Sequence, residues 1–219
     1  MNYFELFNKV MLELNLTPLS NFENACKSEH LRILENLRRA NVEILTKYDW
    51  DFMKNQNVHK LQAGENIIPV KHLGTVTKIM EGSTKLQFAP LRGAFIDGEG
   101  VLGGHYSIWK NYIVLPKSDM EREIYLEYTA LEFARDASGG LKGNFEAADD
   151  VSILPHPYGD DILVYGAVVL TKANPKFEKF SFWQKCYNDA VLRLIESEKK
   201  SYHMEPKISL RVIRGGLYD

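Results

Sequence analysis

Apolar residues recur at three- and four-residue steps near the start of the chain: Phe4, Phe7, Val10, Met11 and Leu14. That spacing predicts an amphipathic helix over 3–15. Pro18 disfavours helical geometry at Thr17, so the helix should close through Asn15–Pro18. A second helix is predicted from Ser28, as N-cap, to Tyr48, with Glu29 in its first turn. Ile33, Leu37, Ala40 and Ile44 form its stripe, widened by Leu34 and Leu45. Asn41 borders that stripe and is expected to hydrogen-bond within the helical bundle.

The period changes after Lys54. From Asn57 to about Phe133 the chain runs in short alternating segments broken by Gly, Pro and Asn, which reads as strands. Val76–Met80 and Lys85–Phe88 flank a turn at 81–84, and Tyr106–Trp109 and Tyr112–Leu115 flank Lys110 and Asn111; both predict hairpins. Ile124, Leu126 and Tyr128 alternate with Glu123, Tyr125 and Glu127, as in a half-solvated strand. Leu91–Gly104 holds glycines at 93, 98, 100, 103 and 104 and predicts a loop costly to order without a partner. A second loose stretch spans Asp136–Asp150.

Helices resume near Tyr158. The segment from Ile162 to Leu170 is apolar on nearly every side, so it should be deeply buried. Phe180, Trp183, Tyr187, Ala190, Val191, Leu194 and Ile195 mark a further helix from about Phe177 to Tyr202. Pro206 should end it. Beyond it, Ile208, Leu210 and Val212 alternate with Ser209 and Arg211, which predicts a strand or extended arm.

The expected fold is therefore α+β. The N- and C-terminal helix pairs form a helical bundle, with an inserted antiparallel β region and an extended C-terminal arm. The expected boundaries are 1–56 and 158–202 for the two parts of the bundle, 57–157 for the β-rich insertion and 203–219 for the arm. Trp50 and Phe52 stand where the chain leaves the bundle, and large aromatics there are expected to be buried and to fix the angle between modules.

With 219 residues, 45 % hydrophobic and 26 % charged, the composition is that of an ordinary globular protein. A net charge of −2 with no long like-charge run carries no basic patch for reading nucleic acid. Cys26 and Cys186 form no CxxC pair and read as buried thiols in a reducing compartment. The opening Met1-Asn2-Tyr3-Phe4-Glu5 lacks the basic start and apolar run of a secretory leader. Ile162–Leu170 is too short to span a bilayer, so no membrane partner is expected.

Candidate chemistry is sparse. The chain has no GxGxxG after a strand and no GxxxxGK[ST], GxSxG, HExxH or EF-hand loop. The glycine-rich "GEGVLGG" at 98–104 precedes no helix start that could cradle a phosphate. "HPYGDD" at 156–161 places His156, Asp160 and Asp161 within six residues. These could serve a small metal-dependent hydrolase, but Asp160 is also well placed to cap the helix that follows. His30, His59, His72, His105 and His203 show no ligand spacing. Lys207, Arg211 and Arg214 are offset by Glu205 and Asp219.

The order of these elements resembles the head-to-tail adaptors of short-tailed bacteriophages, the tail tubular protein A type. The strings that carry the resemblance are "YFELFNKVMLELNLTPLSNFEN" and "HLRILENLRRANVEILTKYDWDF", with its Trp-x-Phe before the β region. "YSIWKNYIVLP", "REIYLEYTA" and "ILVYGAVVLTKANPKFEKFSFWQKCYNDAVLRLIESEK" follow in order. They cover most of the chain outside roughly 57–105. The resemblance implies a structural virion protein, assembled in the host cytoplasm as a dodecameric ring between the portal and the tail nozzle. Double-stranded DNA would pass through that ring without being read. It carries over no catalytic, metal-ligating or cofactor-binding residue. The segments expected at the assembly interface are the arm (Ile208, Leu210, Arg211, Val212, Ile213, Arg214, Leu217, Tyr218) and the glycine-rich loop (Phe95, Val101).

Overall fold

The computed structural model describes residues 1–90, 101–172, 174 and 178–215, with backbone alone from 200 onward. Among these residues are four helices: α1 (Tyr3–Glu13), α2 (Ser28–Lys47), α3 (Tyr158–Thr171) and α4 (Phe180–Gly215). Eleven strands accompany them. They are β1 (Lys54–Leu61), β2 (Ile67–Pro69), β3 (Leu73–Glu81), β4 (Thr84–Lys85), β5 (Gln87–Phe88), β6 (His105–Trp109), β7 (Tyr112–Val114), β8 (Arg122–Ala130), β9 (Ala134–Arg135), β10 (Leu141–Lys142) and β11 (Val151–Ser152).

The chain divides into two compact units, one of residues 1–48 and 133–219, the other of residues 49–132. In the first, the predicted apolar stripes are the core: Leu6, Phe7, Val10, Ile33, Leu37, Ile44, Ile162, Leu163, Val168, Trp183 and Leu194 are all buried. α1 starts with a capping box, in which Asn2 Oδ1 accepts from the Glu5 amide and Glu5 reaches back to the Asn2 amide. It ends where Asn15 turns left-handed, φ +56°, which lets the Leu16 amide reach the Met11 carbonyl at 2.8 Å. Asn15, not Pro18, therefore stops the helix. The N-cap of α2 is Lys27, one residue before Ser28, with no side-chain capping bond.

α3 packs against both α2 and α4. The helices approach closely at Gly166, where a Cβ would lie 3.3 Å from both Ala40 Cβ and Tyr187 Cε2. At the end of α3, Arg32 Nη2 donates to the Thr171 carbonyl at 2.7 Å and Asn36 Nδ2 to Thr171 Oγ1 at 2.9 Å. A cation there complements the negative end of the helix dipole.

The second unit is built from two four-stranded sheets, ordered β1-β8-β3-β4 and β2-β7-β6-β5. The predicted hairpin at Lys110 forms, with Trp109 paired to Tyr112 across φ +53°; the one at Gly82, φ +57°, is shorter than expected, Glu81 pairing with Thr84 and Met80 with Lys85, while Gln87 and Phe88 leave it to pair with β6. β8 buries Ile124, Leu126, Tyr128 and Ala130 on one face, the alternation expected of it. These residues join Leu61 of β1, Ile79 of β3, Ile68 of β2 and Ile113 of β7 in one apolar core between the sheets. At the head of β8 the Arg122 guanidinium, its side chain only 8 % exposed, bonds Glu81 Oε1 at 3.1 Å and the carbonyls of Glu65 and Pro116. It ties three chain segments to one strand end.

The expected architecture, a helical bundle with an inserted antiparallel β region and an extended arm, is overturned. The stretch expected to be one insertion divides: β1–β8 lie in the second unit, while the third sheet, β10-β9-β11, belongs to the same compact unit as the helices, which is therefore not a purely helical bundle. Its strands are two residues each, too short to show a period in the sequence. One pairing, β5 with β6, is parallel. The segment expected to be an arm continues α4 to Gly215, through Pro206. A helix already nucleated upstream propagates past the single hydrogen bond that proline forfeits, and the apolar alternation at 208–212 is compatible with either period over so short a run.

Candidate functional site

His156 and Asp160 come together, but the three residues do not meet as a set. His156 Nδ1 lies 3.4 Å from Asp160 Oδ2. Asp160 also accepts from the Met1 ammonium at 3.2 Å. The His156 side chain is 78 % exposed and Asp161 is exposed. No cluster of three His, Cys, Asp or Glu side chains arranged for a metal occurs among the described residues. Nor does Asp160 cap α3: the N-cap is Pro157, with no side-chain capping bond, and Asp160 sits inside the first turn. Its charge still favours the helix N-terminus.

The residues expected at an assembly interface scatter. Val101 is 5 % exposed and packs with Val114 and Ala89 on the outer side of the second sheet. It is a covering residue, not an exposed contact. Phe95, Leu217 and Tyr218 lie outside the described residues. Ile208, Leu210, Arg211, Val212, Ile213 and Arg214 fall within α4, so the alternation that suggested a strand does not govern them. Trp50 is 2 % exposed and stacks on half-buried Phe52, ring centres 5.6 Å apart. Neither cysteine is a buried thiol: Cys26 is exposed and Cys186 half-buried, with burial pushing the Cys186 thiol up.

Surface chemistry that sequence reading missed gathers on the β unit. Trp109 and Tyr112 pair across the β6–β7 hairpin, their rings 6.2 Å apart. Both are exposed, and the Lys110 ammonium sits 5.0 Å from the Trp109 ring centre. Pro69 pairs with Tyr112 from β2, so one row of the sheet reads Pro69, Tyr112, Trp109. Cross-strand neighbours share a face, and this row lies two residues from Val114 and Ser107, on the side away from the core. The hairpin alternation hinted at this row, but which face would be left open depended on how the two sheets pack.

A cleft of about 460 Å3 in the same unit is lined by His59, Lys60 and Leu61 of β1 and by residues 65–69 around β2. In the helical unit a groove of about 470 Å3 lies between α2 (Glu35, Arg38, Arg39, Val42, Glu43) and residues 144–146. Arg39 is held there by Glu43 at 2.6 Å and Arg38 faces Glu35 at 3.9 Å, so the groove is of mixed charge. No described helix is long and apolar enough to cross a membrane. No known protein family matches the chain, and no curated protein is significantly similar to it.

Proposed function

We propose that the chain is a structural subunit of the connector of a short-tailed bacteriophage. It would form a ring, a dodecamer by the resemblance, that joins the portal to the tail nozzle and lets double-stranded DNA pass. One observation carries this reading. The segments that resemble the adaptors occur in order as α1, α2, the β6–β7 hairpin, β8 and the α3–α4 pair, with the N- and C-terminal helices sharing a unit and the β unit between them in the chain. Exposed Trp109 and Tyr112 beside Lys110 are contact chemistry of the kind enriched where proteins meet.

The experiment is negative-stain imaging of the purified protein with and without a portal. Annular particles, alone or on the portal, are the expected result. Discrete single-chain particles under both conditions would overturn the reading. Binding of stoichiometric zinc or manganese, lost in His156→Ala and Asp160→Asn, would instead direct attention to hydrolysis.

A further inference from the structure

Trp109 and Tyr112 lie on β6 and β7, the two central strands of the sheet β2-β7-β6-β5. They are 50 % and 39 % exposed, and exposed Pro69 of β2 extends their row. The two rings are 6.2 Å apart and inclined by 29°, so they form a shallow aromatic shelf on an open face.

The charge beside this shelf has one sign. Residues 66–80 and 101–118, which contain β2, β6 and β7, hold lysines at 71, 78, 110 and 117 and no aspartate or glutamate. Lys110 stands at the hairpin tip, its ammonium 5.0 Å from the Trp109 ring centre. The Val70 amide donates to the Asn111 carbonyl at 2.8 Å, which brings exposed Lys71 to the same end of the sheet. The ion pairs that lysines make among the described residues belong to Lys54, Lys60 and Lys142, and neither Lys71 nor Lys110 has a carboxylate partner there. No basic run marks the site in the sequence; the two lysines come together because β2 pairs with the hairpin.

We propose that the shelf binds single-stranded nucleic acid, with two neighbouring bases on Trp109 and Tyr112 and the adjoining phosphates on Lys110 and Lys71. This binding does not depend on a ring being formed. Exposed aromatics alone would equally suit a protein partner; the one-sided charge selects a polyanion. An acidic peptide would satisfy the lysines but leave the rings without flat partners, whereas every base has a π-face to stack. A duplex keeps its base faces inside the helix, so only its backbone could reach the site. A four-stranded sheet with aromatics on its strands holds two or three unstacked bases in this way. The Lys110 ammonium must leave the Trp109 face as a base arrives, and its flexible stem lets it turn to the phosphate.

The test uses the full chain with fluorescein-labelled oligo(dT) and oligo(U) of about 12 nucleotides, within the usual site size of single-strand binders. Saturable anisotropy with either oligomer is expected, and the ratio of the two affinities separates DNA from RNA. Tryptophan emission should be quenched, because Trp50 and Trp183 are buried and Trp109 is exposed. With two phosphates neutralised, the logarithm of the binding constant should fall with that of salt at a slope of about −1.4, or about 0.7 for each phosphate. Lys110→Asn, which suits the left-handed φ of +53°, and Lys71→Gln should each take about 0.7 from that slope. Trp109→Ala and Tyr112→Ala should each weaken binding about tenfold. Should the alanine variants lose their melting temperature, the two lysine variants carry the test, since both positions are exposed. Four results would overturn the proposal: no saturation at millimolar protein, binding unchanged in the folded variants, a duplex binding as tightly as the single strands, or polyglutamate competing as well as oligo(dT) at equal charge. A self-associated state that Trp109→Ala breaks up, with oligonucleotide binding untouched, would likewise overturn it and give the shelf to a second copy.

Discussion

Ser152 Oγ donates to Asn41 Oδ1 across 2.7 Å, joining strand β11 to the middle of helix α2. Asn41 is fully buried, and its Nδ2 donates to the Phe133 carbonyl at 2.8 Å and to Asn144 Oδ1 at 3.3 Å. Both ends of the amide are used, which is the condition for burying one. The small third sheet is thereby pinned to the helices by a polar side chain on an otherwise apolar stripe. Asn41→Leu would keep the volume but leave the Phe133 carbonyl only the Ile153 amide at 3.4 Å and take the acceptor from the Ser152 hydroxyl. The expected loss is about 2–4 kcal/mol of unfolding free energy, measured by urea titration. A change under 0.5 kcal/mol would show that water replaces the amide at no cost.

Gly166 lies between α2 and α4, close against Ala40 and Tyr187. Gly166→Ala gains helix propensity of roughly 0.5–1 kcal/mol but must push Ala40 or Tyr187 aside from 3.3 Å, so the two effects oppose each other. Gly166→Leu has no such offset. It should lose on the order of 3 kcal/mol through overpacking, read as a drop in melting temperature.

Trp50→Ala should destabilise by about 3–5 kcal/mol, the usual range for truncating a buried aromatic, given its 2 % exposure and its stack on Phe52. An unchanged unfolding midpoint would remove it from the core.

Stability should fall at both pH extremes for different reasons. Burial alone would raise the Asp150 carboxyl, but the Ala147 and Glu146 amides and the Lys142 ammonium outweigh it and hold the group below the ordinary carboxylate range. A depressed acid stabilises above its unfolded pKa, and this contribution is lost as pH falls through the folded value. The loss therefore falls below about pH 4. In Asp150→Asn the acid limb of the melting-temperature profile should flatten. Tyr3 moves the other way. Burial of its phenol, which donates to the Leu34 carbonyl at 2.8 Å, pushes its pKa up to about 12. Stability from a raised acid is complete below the unfolded value of about 10 and is lost as pH climbs toward 12, on the order of 2–3 kcal/mol. Tyr3→Phe should abolish that alkaline decline, and a profile identical to the parent's would exclude Tyr3 as its source.

The helical periods and the two hairpins are determined locally. The stripe Phe7–Val10–Met11 of α1, the stripe Ile33–Leu37–Ile44 of α2 and the turns at Gly82 and Lys110 follow from spacing and backbone preference within a few residues, and the sequence states them plainly. The alternation of β8 likewise showed which side chains would be buried. What the tertiary structure decided was everything that depends on residues far apart in the chain. β1 pairs with β8 across more than sixty positions, so its status as an edge is invisible in "KNQNVHKL". The partners of Asn41 come from residues 133–152 and not from another helix. The two-residue strands of the third sheet have no period of their own and exist only because Asn41 and their neighbours hold them. The distribution of His156, Asp160 and Asp161 is of the same kind: closeness in sequence brought the three near one another, while the packing of α3 left His156 and Asp161 exposed and Asp160 only partly covered. Local geometry is encoded in adjacent residues. Long-range pairing is selected by which surfaces can be buried together, and one sequence read alone does not contain that choice in legible form.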